Sequence, residues 1–311
     1  MSEFKSSLEN AMESHGFFIQ GSINYNSDKI QRFKNRNKVR GGQDIFVALH
    51  DYRGATFGDW HNKDGWVTWW LNASVKISVH EEADRRERTR EIEQRRLKMR
   101  KIAINRALRL WDKGTTDTDE QSYIKKKRIR GYYSRQIKQL RWIKDTLLIP
   151  IRNIDYEFQG VQIIKPNGFK RLWKGTSQKD NMIWLSPPLP DNYDGVIRVC
   201  EGYATGCTIY ETIGSPVICA INANNLVNVM QLLRQKYPKY NLKICADNDQ
   251  WSGQNSGLIC ALNAENVSGA IIYYPTFNQS DVREKPTDFN DLMCLNGIEE
   301  VERQLTLIRS K

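Results

Sequence analysis

Three carboxylates stand where a parallel α/β sheet would present them. Glu201 directly follows the apolar run Val196-Ile197-Arg198-Val199-Cys200, and Asp247 and Asp249 follow Leu242-Lys243-Ile244-Cys245-Ala246. In open α/β sheets, functional groups gather just past the carboxyl ends of the strands. Two aspartates with one residue between them can lean into one crevice, beside a glutamate from a neighbouring strand. Hard oxygen donors of that kind suit Mg²⁺ or Mn²⁺. The competing reading is plainer: an Asp at a strand end also serves as a polar loop residue or as the cap of the next helix. Spacing alone leaves the two readings level.

The elements needed to position these acids are written in the pattern around them. Strands are predicted over 195–200, 216–221, 242–246 and 270–274, alternating with helices over 204–213, 226–236 and 257–266. Short apolar strands alternating with helices imply a parallel sheet buried on both faces. Upstream, Thr146–Arg152 and Val161–Ile164 read as strands, Pro166-Asn167-Gly168 as a turn, and Phe169–Gly175 as a third strand bearing Lys170, Arg171 and Lys174. Side chains alternate along a strand, so Lys170 and Lys174 are expected on one face and Arg171 on the other.

Charge is distributed unevenly along the 311 residues: residues 1–150 carry 31 Lys+Arg against 19 Asp+Glu, and the remainder 16 against 17. A basic half beside a near-neutral half suggests a polyanion-binding part joined to a cation-using part. The basic character peaks between Glu120 and Asp145, where no acid occurs. There Lys125, Lys126, Lys127, Arg128, Arg130 and Arg135 are interleaved with Tyr123, Tyr132 and Tyr133. A solvated helix face normally mixes both signs, so this run reads as a nucleic-acid track. Residues 81–111, by contrast, interleave Arg with Glu and read as a connecting helix with i,i+4 pairs. Ile102, Ile104, Ala107, Leu108 and Trp111 return apolar positions that would dock it.

Residues 1–78 read as a small α+β unit. Phe4, Leu8 and Met12 have helical spacing, Ile45–His50 is a clear strand, and Gly65–Trp70 resembles another. Trp60, Trp66, Trp69 and Trp70 can stack on bases, but a small unit with few aliphatics also needs aromatics in its core. Four units follow: 1–78, a connecting helix and linker over 79–115, a basic strand-rich subdomain over 116–190, and a sheet domain over 191–311.

All six cysteines lie beyond residue 199 and none is paired as CxxC, so no zinc ribbon is expected. Most sit in apolar runs and read as small buried hydrophobes. No apolar stretch approaches the about 20 residues needed to cross a bilayer, and the first residues lack an apolar signal region. No membrane partner and a cytoplasmic location, in a bacterial or phage-infected cell, are expected. GxxxxGK[ST] is also missing, so no helicase motor is expected within these residues.

The segments around the acids resemble a known family. Cys200-Glu201-Gly202-Tyr203-Ala204-Thr205-Gly206 looks like the glutamate motif of TOPRIM domains, in the branch found in conjugative-plasmid and phage primases. Ala220–Leu226, with Asn225, is similar to the family's second-strand turn. Ala246-Asp247-Asn248-Asp249 is similar to its aspartate pair, Asn255-Ser256-Gly257 to the helix start after it, and Thr287-Asp288-Phe289-Asn290-Asp291-Leu292 to its closing acidic motif. Upstream, Ile149–Asn153 with Arg152, Val161–Ile164 and Gly168–Gly175 resemble the basic subdomain that precedes TOPRIM in these primases. The likeness runs over roughly residues 100–295.

This resemblance implies an α/β fold, with a C-terminal TOPRIM parallel sheet flanked by helices, a basic strand-rich subdomain before it and the small α+β unit at the start. It implies a DNA primase that makes short primers on a single-stranded DNA template by metal-dependent nucleotidyl transfer from nucleoside triphosphates, with a separate replicative helicase as partner. Glu201, Asp247 and Asp249 would be catalytic, and these three with Asp288 would hold Mg²⁺ or Mn²⁺, with no zinc. Arg152, Lys170, Arg171, Lys174 and Asn225 would contact nucleotide or template. Two rivals are a TOPRIM nuclease using the same acids and a non-catalytic single-stranded-DNA-binding accessory; the Lys170 to Lys174 segment favours the polymerase over the first, and the intact acids count against the second.

Overall fold

The computed structural model describes residues 2–27, 29–37, 42–50, 53–62, 65–71, 79–116, 121–129, 140–190, 193, 195–278 and 283–306. The chain divides into two compact units, Met1–Met99 and Arg100–Lys311.

In the first unit, helix α1 (Ser2–Ser14) buries Phe4, Leu8 and Met12, one residue per turn along a single stripe. The sheet runs in chain order through β1 (Ile19–Gln20), β2 (Gln31–Asn35), β3 (Ile45–His50), β4 (Gly54–Asp59) and β5 (Val67–Trp70), antiparallel throughout. Its core joins the α1 stripe to Phe33, Ile45, Val47, Ala55 and Phe57, with Trp69 packed against it. Helix α2 (Val79–Asp112) carries residues of both units. Ala107 and Trp111 are buried against Leu148, Val161 and Ile163, whereas Leu108 stays exposed. Residues 117–120, which follow the expected linker, lie outside the described residues.

The second unit is built on one nine-stranded mixed sheet. Strands β6 (Arg141–Ile143), β7 (Thr146–Asn153), β8 (Phe158–Ile164) and β9 (Lys170–Leu172) form an antiparallel meander. Strands β11 (Val196–Cys200), β12 (Val217–Cys219), β13 (Asn241–Cys245) and β14 (Ile271–Tyr273) are parallel, in spatial order β14-β13-β11-β12. The joint between them is β10 (Asn181–Trp184), a strand the sequence pattern did not announce. Its first two residues pair with β7 and its last two with β12, both antiparallel. The basic strands and the parallel strands, expected as separate subdomains, are therefore hydrogen-bonded edge to edge.

Helices cover both faces of the parallel part. α3 (Ser122–Lys126), α4 (Tyr203–Ile213), α7 (Phe289–Asn296) and α8 (Ile298–Thr306) contribute Tyr123, Ile209, Phe289 and Leu305 to one core. α5 (Leu226–Lys236) and α6 (Ser256–Ser268) contribute Leu226, Met230, Leu233 and Ala261 to the other, against Ile197, Val199 and Ile244. Alternation along β11, with Val199 facing one core and Cys200 the other, is what a strand buried on both sides requires. Both α4 and α6 end on a left-handed glycine at the C-cap, Gly214 and Gly269.

One expected element is shorter than read. The third basic strand stops at Leu172, and Trp173 still donates its N–H to Val161 at 2.8 Å before the chain turns at Gly175. Lys174 lies past the strand, so alternation does not place it on the face of Lys170.

Candidate active site

The acids sit at the carboxyl ends of adjacent parallel strands. Cys200 pairs with Cys245 as the last register position of β11 and β13, so Glu201 and Asp247 leave neighbouring strands at nearly the same level. Glu201 Oε1 and Asp247 Oδ1 are buried oxygens without a hydrogen-bond partner. Buried polar atoms are normally satisfied, and exceptions call for a bound group or a functional role.

Electrostatics follow from that crowding. Burial, then the charges of Asp249 and Asp288, push the Glu201 carboxyl up to about 7. Asp247 is driven well above the usual carboxylate range by burial and by Glu201, Asp288 and Asp249, and the Lys170 ammonium opposes the shift. Asp288 is raised by burial and Asp291, against the opposing pull of Lys127 and a Thr205 hydrogen bond.

Asp249 and Asp288 also carry structural bonds. Asp249 Oδ2 accepts from Ser256 Oγ at 2.9 Å and from the Gly257 N–H at 3.0 Å, at the start of α6. Asn255 caps the same helix through Leu258 N–H and accepts the Asp249 N–H. Asp288 is the N-cap of α7: its Oδ1 accepts the Asp291 N–H at 2.8 Å, and Asp291 Oδ2 accepts the Thr287 N–H. Asp291 thus returns its bond to the residue before the N-cap, one position short of a capping box.

The upstream cations divide. The Lys170 nitrogen lies 3.8 Å from the point a Cβ on Gly202 would occupy and 5.8 Å from the Tyr123 ring centroid, so it stands at the acids. Gly202, N-cap of α4, brings no side chain of its own to that helix start. Lys170, Arg171 and Lys174 are all exposed, and it is the nitrogen of Lys170 that lies beside this site. Arg152 stacks on Tyr156 at 4.4 Å and donates to the Tyr156 carbonyl, in a half-buried setting that lowers its pKa. Asn225 is buried and its amide donates to the carbonyls of Asn181 and Ala220, tying β10 to the end of β12. Both side chains are used by the architecture.

Within the basic run, Lys125 and Lys126 are exposed, while Lys127 pairs with Asp291 at 3.1 Å and Arg128 donates to the Cys294 carbonyl. Arg130 and Arg135 lie outside the described residues. Sequence reasoning quoted Thr205 and Asn290 inside motifs without giving either a role: Asn290 is fully buried and bridges Lys127 O and Thr208 Oγ1. A buried Asn in a helix is invisible to motif spacing; only its partners reveal it.

Among the described residues no three acidic, His or Cys side chains form a ready-made metal cage. The donor set nevertheless fits a hard divalent cation: Glu201 and Asp247 offer two unsatisfied buried oxygens, and Mg²⁺ commonly takes one or two carboxylates and completes its shell with water and substrate phosphates.

Residues 196–299 match the family model described as the Toprim domain. A segment of 134 residues is 28% identical to the DNA primase TraC of Escherichia coli, covering 42% of this chain and 12% of that protein. Among solved structures, the DnaG primase catalytic domain bound to single-stranded DNA aligns at TM-score 0.46 and 13% identity, over 67% of this chain and 79% of that one. The zinc-binding and RNA polymerase domains of the Aquifex aeolicus primase align at TM-score 0.42 and 13% identity, over 98% of this chain and 84% of that one.

Proposed function

We propose that this chain is a DNA primase, joining nucleoside triphosphates into short primers on a single-stranded DNA template. The observation that carries the reading is the placement of Lys170, from the antiparallel strands, beside a Toprim acid pair with two unsatisfied buried oxygens. A triphosphate brought to the acids places several negative charges there, and a cation from the facing strands offsets them.

In nucleotidyl transfer a 3′-hydroxyl oxygen bonds to the α-phosphorus as the α–β bridging bond breaks, and pyrophosphate leaves with that electron pair. The hydroxyl proton needs an acceptor. Glu201, whose Oε1 is buried without a hydrogen-bond partner, is the carboxylate that would accept it where it does not itself hold metal. Lys170 and the uncapped start of α4 at Gly202 present positive charge to the phosphates. Asp247 and Asp249, with Glu201 and Asp288, would hold Mg²⁺ or Mn²⁺, which neutralises charge on the transferring phosphate and the departing pyrophosphate. Asp249 is held for this by the α6 N-terminus, and Asp288 by its capping bonds. Lys125 and Lys126, with Arg130 and Arg135, would track the template backbone, and duplex unwinding would fall to a separate helicase.

The test is to incubate the chain with single-stranded DNA, labelled nucleotides and Mg²⁺ or Mn²⁺ and to resolve the products by length. New oligonucleotides of a few residues support the reading. Shortened template points to a nuclease, and template binding without any new product points to a binding accessory.

A further inference from the structure

The two faces of the N-terminal sheet differ in kind. One is closed by α1 and holds Phe33, Val47, Phe57 and Trp69 in the core. The register puts Arg32, Phe46, Thr56, Thr68 and Trp70 on the other face. On or beside it three indoles remain open: Trp70 is 59% exposed, Trp66 38% and Trp60 37%. A cluster of exposed tryptophans is a surface that soluble proteins keep for a partner.

Two glycines shape this surface. A Cβ on Gly54 would lie 2.5 Å from the Trp70 ring, and one on Gly58 2.8 Å from the Trp66 ring. Each indole therefore rests against a bare stretch of strand, Trp70 stacking also on His50 and Trp66 packing also on Phe46 and Trp60, and each keeps part of its surface open. Trp60 carries the Arg32 guanidinium 4.1 Å above its ring, and Phe46 is buried beneath Trp60 and Trp66 in edge contacts. Between the indoles runs a polar row in which His50 Nε2 is 2.7 Å from Thr56 Oγ1, itself 3.1 Å from Thr68 Oγ1. Charge leans the same way, with Asp44, 3.6 Å from His61 and next to Trp60, as the acid at the edge of this surface. Glu3, Glu9 and Glu13 belong to α1, on the closed side, whereas the described strand residues of the open face include Arg32 and Lys34 and no carboxylate.

We infer that this open face binds single-stranded nucleic acid. Its bases stack on Trp70 and on the Trp60–Trp66 pair, their edges meet the His50–Thr56–Thr68 row, and Arg32 and Lys34 meet the phosphates. Aromatic platforms beside cations are what sequence-tolerant single-strand binding requires, because every base has a π-face and every linkage a charge. Duplex DNA, whose bases are already stacked, cannot use the platform. Binding here is independent of the activity proposed for the acids.

The experiment measures binding of the full chain to a labelled single-stranded oligodeoxynucleotide across a salt series, without nucleotides or divalent metal. Matched duplex and single-stranded RNA are the comparison ligands. Trp70→Ala is expected to weaken single-strand binding about tenfold with an unchanged log–log salt slope, and Trp70→Phe to restore most of it. The pair Arg32→Ala and Lys34→Ala is expected to flatten the slope by about 0.7 for each phosphate no longer neutralised. Thr68→Glu, at an exposed position, tests the face without removing an aromatic and is expected to weaken binding too. Weakening confined to RNA would assign the face to RNA rather than DNA, within the same inference. Parent-like affinity for both single-stranded ligands in Trp70→Ala and in Thr68→Glu overturns it, and so does equal weakening of duplex binding in those variants.

Discussion

Asp249 Oδ2 accepts the Gly257 N–H at 3.0 Å, which fastens one of the site acids to the first turn of α6. Asp247, two residues earlier, has instead a buried oxygen with no partner. The two aspartates are therefore unequal. Asp249→Asn removes a charge from a helix N-terminus and is expected to cost about 1 kcal/mol of stability. Asp247→Asn relieves crowding among buried acids and is expected to leave the metal-free protein as stable or more so. Urea denaturation at pH 8 without divalent ions checks this; equal destabilisation by both would contradict the assignment. Both variants should lose nucleotidyl transfer.

The pH dependence has a definite sign. Glu201 has a folded-state pKa of about 7 against an ordinary 4.5, so folding favours its protonated form. Its contribution to stability is present below about pH 4.5 and lost as pH rises towards 7. Asp247 and Asp288 shift in the same direction. Metal-free protein is expected to denature at higher urea at pH 5.5 than at pH 8, with a flatter dependence in Glu201→Gln. Mn²⁺ should recover the stability at pH 8 and change little at pH 5.5. A dependence identical in parent and Glu201→Gln would remove Glu201 from the buried cluster.

Lys170 and Lys174 separate in the structure. Lys170→Ala is expected to raise the apparent KM for nucleotide several-fold or more with little change in thermal midpoint, and Lys170→Arg to recover part of it. Lys174→Ala, past the end of β9, should be milder. Steady-state kinetics at subsaturating nucleotide decide between them. Parent-like kinetics in Lys170→Ala would leave the acids without an opposing cation.

Lys127 belongs with the fold. Its ion pair with Asp291 ties the end of α3 to α7, and the partial burial of both side chains makes its removal felt in stability. Lys127→Ala should lower the thermal midpoint by a few degrees, whereas Lys125→Ala with Lys126→Ala should flatten the salt slope of single-stranded-DNA binding by about 0.7 for each phosphate released. An unchanged slope in the double variant would return those lysines to a solvated face.

Much of the parallel sheet was legible because strands buried on both faces are mostly apolar, even with Arg198 and Lys243 inside them, and their ends locate Glu201, Asp247 and Asp249. β10 was not. Four residues beginning with Asn, between turn-rich segments, give too short a pattern, yet they join the two halves of the sheet. Arg152 and Asn225 show a second limit. The resemblance implied nucleotide or template contact for both; in the fold Asn225 bonds a carbonyl 44 residues away and Arg152 stacks on Tyr156, relationships that exist only after folding. The tryptophans required the same step: β5 alternation sends Trp69 into the core and Trp70 to the open face.

Whether these acids carry nucleotidyl transfer is decided by following inorganic pyrophosphate released from nucleoside triphosphates on single-stranded DNA with Mg²⁺ or Mn²⁺. The parent chain is predicted to release it only when template is present, in proportion to short products, and Asp247→Asn to release none. Template cleavage without pyrophosphate, or pyrophosphate release undiminished in Asp247→Asn, would rule out primer synthesis at Glu201, Asp247 and Asp249.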